Sequence, residues 1–103
     1  MSPEEELFMS IGNGIKDAGF GQLFGKPCFK INGKAFICFF NNEMVFKLGG
    51  DEHKRAILLA NARLFDPSGK NRPMKEWIQL GAQHQSEWKT LASLAKTYCS
   101  ETS

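Results

Sequence analysis

Lys26 to Leu48 reads KPCFKINGKAFICFFNNEMVFKL, and its turns and alternation decide the fold. Asn32-Gly33 is a strong two-residue hairpin signal, because both central positions of a type I′ turn need positive φ. Asn41-Asn42 is a weaker signal of the same kind. Three short antiparallel strands follow from these two turns. If both turns have two residues, Phe29 faces Phe36, Lys30 faces Ala35, Phe39 faces Met44 and Ile37 faces Phe46. Alternation then puts Ile37, Phe39, Met44, Phe46 and Leu48 on one face, and Phe29, Ile31, Phe36, Cys38, Phe40 and Val45 on the other. A one-residue bulge would swap the faces beyond it. Both faces are apolar, so the second needs cover from a helix, another subunit or a ligand.

Working outward, Ser2-Pro3-Glu4-Glu5 combines an N-cap, a first-turn proline and a capping box. Leu7, Phe8, Ile11, Ile15 and Ala18 then predict a helix stripe at spacings of three and four. Gly12 and Gly14 weaken that helix and mark a close approach to the sheet or a kink. Gly19 is its expected C-terminal cap, and Phe20 to Gly25 a connection into the first strand.

Beyond the meander, Gly49-Gly50 breaks the chain. Asp51 caps a second predicted helix, Glu52 to Asn61, with Ala56, Ile57, Leu59 and Ala60 inward. Ala62 to Phe65 reads as a fourth strand, Asp66-Pro67-Ser68-Gly69 as a turn, and Lys75 to Leu80 as a fifth strand with Trp77 facing away from Ile78. From about Ser86 a third helix carries Trp88, Leu91, Ala92, Ala95 and Tyr98 inward, with Glu87, Lys89 and Lys96 outward. The order helix, three-stranded meander, helix, two strands, helix predicts an α+β sandwich with helices mainly on one sheet face.

A chain of 103 residues has room for one domain and one core, so residues 1–103 form a single expected domain. Hydrophobic content of 42% with 23% charged residues excludes a disordered chain. Nine Phe against one Tyr point to rings used for packing. A net charge of +2 neither marks a nucleic-acid binder nor excludes one. No secretory leader or membrane span is visible, so a cytosolic protein is expected. The three cysteines, Cys28, Cys38 and Cys99, fit a reducing compartment. In the register above, Cys28 and Cys38 fall on opposite faces, which forbids a disulfide between them.

Candidate chemistry is sparse. His53 and His84 read as solvated surface residues without metal-ligand spacing, and no phosphate loop, nucleophile elbow or dinucleotide fingerprint occurs. Neither metal nor cofactor is expected. The segment Asp66 to Lys75, DPSGKNRPMK, places Lys70, Arg72 and Lys75 on a loop between two strands. It reads as an anion or nucleic-acid contact, or as an ordinary polar loop whose arginine pairs with Asp66. An acid-base set from Asp66, Glu76 and Arg72 is the enzymatic alternative, that of a small hydrolase. The candidate interface is Phe29, Ile31, Phe36, Cys38 and Phe40, which a two-fold homodimer would bury. A pocket for a small apolar ligand on the same face is the rival reading.

The run FGKPCFKINGKAFICFFNNEMVFKL, with the later LFDPSGKNRPMKEWIQL, resembles the N-terminal domain of the TfoX/Sxy family of bacterial competence regulators, to which YdhG-like domains are related. The matching elements are Phe24-Gly25, Phe29 to Phe36, Val45 to Leu48 and Arg72 to Trp77, and the likeness covers about residues 22–80. It implies an α+β fold similar to that of secretion chaperones, no enzyme activity and no cofactor. It also implies a regulatory module that reaches transcription through a protein partner. Full-length members carry a second, C-terminal domain, for which these 103 residues leave no room.

Overall fold

The computed structural model describes residues 1–102. Helix α1 (Pro3–Asn13) starts where its caps predict: the Ser2 hydroxyl accepts from the Glu5 backbone N–H at 3.1 Å. It ends at Gly14, five residues before the expected cap. Three consecutive poor helix formers, Gly12, Asn13 and Gly14, outweigh the apolar stripe there. Ile15 and Ala18 still pack against the core from the turns that follow.

The segment expected as a connection is a strand. β1 (Gly19–Leu23) pairs antiparallel with β2 (Lys26–Ile31) around Phe24-Gly25, where φ is +53° and +74°. A phenylalanine at positive φ is unusual, which hides this hairpin from turn statistics. β3 (Lys34–Phe40) and β4 (Glu43–Lys47) follow around Asn32-Gly33 and Asn41-Asn42, all four residues at positive φ. Helix α2 (Gly50–Ile57) is capped by Gly49 in place of Asp51 and stops short of Asn61, leaving Ala60 exposed. β5 (Arg63–Phe65), β6 (Met74–Leu80), a 3-10 turn at Ala82–His84 and α3 (Gln85–Thr102) complete the described residues.

All six strands form one antiparallel sheet in the order β1-β2-β3-β4-β6-β5. β6 lies inside the sheet, one strand from the edge, and its Trp77 to Leu80 are all buried. The three-residue β5, with an exposed arginine, takes the edge.

Phe39 faces Met44, Ile37 faces Phe46 and Lys30 faces Ala35, as the turn arithmetic predicts. Phe29 faces Ile37 in place of Phe36. A bulge at Phe36 is the cause, and it puts Phe36 and Ile37 on one side of the sheet. The correction is large: Phe29, Ile31 and Phe36 join Ile37, Phe39, Met44, Phe46 and Leu48 beneath the helices, with Phe8, Trp88, Ala92 and Ala95 above them. The helix-free face holds Cys28, Cys38, Val45, Phe65 and Trp77, ringed by Leu23, Ala35, Phe40 and Met74. Cys28 and Cys38 are therefore direct cross-strand partners on one face, both free thiols, contrary to the expected opposite placement.

The helix-free face closes on itself. Phe40 on β3 and Phe65 on β5 have ring centroids 5.3 Å apart, although two strands lie between them. A flat sheet would separate those strands by roughly 14 Å. The sheet thus curls until its far strands meet, and Trp77 closes the layer beside Phe65 at 6.5 Å.

Candidate functional site: a basic-rimmed groove between two helices

Two helical stripes run side by side on the outer surface of the helix layer. From α1 and its exit come Leu7, Ile11 and Ile15 at a spacing of four, with Ser10, Gly14 and Lys16 beside them. From α3 come Gln85, Lys89, Ser93, Lys96 and Thr97. Between them lies an open groove of about 510 Å³. That volume falls within the usual range of ligand pockets, roughly 300–1,000 Å³.

Its chemistry is two-sided. Leu7, Ile11 and Ile15 give an apolar floor, half-buried to buried, and the hydroxyls of Ser10, Ser93 and Thr97 stand along the walls. Lys16, Lys89 and Lys96 set the rim charge, no carboxylate lines the groove, and none of the three lysines has an ion pair among the described residues. An apolar strip beneath unpaired cations attracts an anion that carries its own apolar side. The sequence shows each half, as an inward stripe on α1 and outward lysines on α3. That the two adjoin is decided by helix packing.

Lys70, Arg72 and Lys75 are exposed, as a loop contact requires. The loop is built around Asp66: its carboxylate accepts from the Ser68 hydroxyl at 2.8 Å and the Arg72 backbone N–H at 3.1 Å. The hydrogen bond from Ser68 holds the Asp66 carboxyl below its ordinary range. Arg72 thus meets Asp66 through its backbone N–H. Glu76 is engaged elsewhere and accepts from the Tyr98 hydroxyl, which raises the pKa of that phenol. Asp66 and Glu76 share no partner among these bonds. His53 and His84 each donate from Nε2 to a backbone carbonyl, of Lys75 and Ala60, both at 2.8 Å. Among the described residues, no three His, Cys, Asp or Glu side chains group as metal ligands.

The candidate interface residues do not form one surface. Phe29, Ile31 and Phe36 are buried under the helices, Cys38 is buried on the opposite face, and Phe40 is partly exposed there. Burial pushes the Cys38 thiol up to about 12, with the neighbouring Cys28 adding to the shift. No described helix is long and apolar enough to cross a membrane. No family model, curated protein or solved structure matches this chain.

Proposed function

We propose that the protein is a non-enzymatic interaction module whose α1–α3 groove docks an acidic amphipathic helix of a partner protein. The observation that carries this reading is the groove's composition: an apolar floor from Leu7, Ile11 and Ile15 beneath Lys16, Lys89 and Lys96, with no lining carboxylate. A partner helix would place apolar side chains at spacings of three and four on the floor and its carboxylates against the rim. Charge on the rim sets the rate and selectivity of docking, while the floor contributes most of the affinity. A regulatory role of the kind found in the TfoX/Sxy family, exercised through a protein partner, agrees with such a surface.

The test is an NMR titration of the ¹⁵N-labelled protein with a designed helical peptide carrying a leucine stripe flanked by glutamates. The expected result is amide shifts centred on residues 7–16 and 85–97. A Gln-for-Glu version should bind at least about tenfold more weakly, as should the Lys16→Glu, Lys89→Glu, Lys96→Glu triple variant toward the original peptide. Equal binding of the two peptides, or shifts elsewhere, overturns the reading. Dodecanoate binding without peptide binding would replace it with a carrier of small amphipathic anions.

A further inference from the structure

We propose that two copies of this chain join through β1, edge to edge, so that their sheets merge into one continuous antiparallel sheet. The two edges of the sheet are built differently. β5 has three residues, opens with Arg63 tied to Glu43 and runs into a loop containing Pro67 and Pro73. Short length, charge and nearby proline are the usual means of blunting an edge. β1 has five residues, GFGQL, with no charge and no proline, and its outer side is unpaired in the sheet. On and beside it stand Phe20 and Phe24, 57% and 58% exposed, the two aromatic rings that the fold leaves most in water.

The register of β1 makes it self-complementary. Leu23 and Lys26 flank a two-residue turn, so they form a hydrogen-bonded pair. Amide groups alternate along a strand, and those of Gly19, Gly21 and Leu23 therefore point to β2 while those of Phe20 and Gln22 point outward. A two-fold axis at Gly21 then sets Phe20 of one copy opposite Gln22 of the other, and each such pair exchanges both backbone hydrogen bonds. Gly21 meets its own symmetry mate in the closely spaced pair, where a residue without a side chain gives no clash. Phe20 and its symmetry mate become diagonal neighbours on one face, within ring reach. The self-complementary register about Gly21, on a strand without charged residues, is what fits a second copy. Lys30 leans over Gly21 from β2, so the two Lys30 side chains approach near the axis and added salt should strengthen association.

Analytical ultracentrifugation over a concentration series, combined with hydrogen exchange, tests the joint. The expected result is a monomer–dimer equilibrium, tightened by salt, in which the Phe20 and Gln22 amides gain protection only in the dimer. Gln22→Pro removes an outward donor without touching the β1–β2 ladder, and Phe20→Lys sets like charges diagonally across the axis. Each should weaken association by about tenfold or more with the circular dichroism of the fold retained. A strict monomer at millimolar concentration, a dimer whose Phe20 and Gln22 amides exchange freely, or a dimer indifferent to both variants overturns the proposal. The exchange measurement decides even if either variant unfolds. None of these outcomes touches the α1–α3 groove, so failure here is separable from failure of peptide docking.

Discussion

The two faces of the sheet start from the same kind of sequence and end differently. One lies under three helices and buries Phe8, Phe29, Phe36, Phe46 and Trp88 in a continuous core. The other has no helix and its buried apolar residues are Cys28, Cys38, Val45, Phe65 and Trp77, covered by curling until Phe40 touches Phe65. An apolar strand face therefore does not by itself call for a second layer or a second subunit. Strong twist with a few large rings at the margins can serve, and it moves the open surface from the face to the edge.

The comparison can be broken most directly by truncating one ring on each side. Phe29→Ala should cost about 3–5 kcal/mol, since it empties the centre of the helix-covered core. Phe40→Ala should cost no more than about 2 kcal/mol, because that ring is already partly in water. Urea unfolding of both variants measures the difference. Equal losses would mean that the helix-free layer is as tightly constructed as the covered one.

A smaller effect sharpens the closeness of the helix layer. Gly12 is buried on α1, and a methyl group there would overlap the Phe29 ring. Gly12→Ala should destabilise by about 1–3 kcal/mol despite a gain in helix propensity of about 1 kcal/mol. Gly14→Ala, with only ordinary contacts to backbone oxygens, should be near neutral, and thermal melts of the pair decide.

The smallest effect belongs to the helix-free face. Burial raises the Cys38 thiol from an ordinary value of 9.0 to about 12, and raises Cys28 as well. A folded pKa above the unfolded one gives stability that is complete well below pH 9, begins to fall as pH nears 9 and is lost as pH climbs toward 12, because the unfolded chain ionises first. Stability should thus fall between pH 8 and pH 9 by less than about 1 kcal/mol, and Cys38→Ala should flatten that slope in urea titrations at each pH. In the native state both thiols should resist iodoacetamide at pH 8.

Legibility varied with the range of the cause. The α1 N-cap, the Asn32-Gly33 and Asn41-Asn42 turns, the β3–β4 pairing and the inward Trp88, Leu91, Ala92 and Ala95 of α3 are each set within a few residues and were readable, whereas Cys99, not Tyr98, is the buried residue of the last turns. β1 was not, because Phe24, in the two-residue turn that closes the β1–β2 ladder, takes a positive φ that its side chain disfavours. The bulge at Phe36 was equally invisible. One extra residue in β3 moved three phenylalanine and isoleucine side chains from the expected interface into the core. The groove was half legible: its stripe on α1 and its lysines on α3 stand in the sequence, and their adjacency does not.

By itself the sequence determined the α+β class, the antiparallel β2–β3–β4 meander with its two Asn turns, and the start of α1, since these follow from φ preferences, caps and local periodicity. Only the tertiary structure decided which apolar residues share a face, how far the sheet curls and where open surface remains. Those outcomes depend on register and on packing between segments far apart in the chain, where a one-residue shift reverses every side chain beyond it.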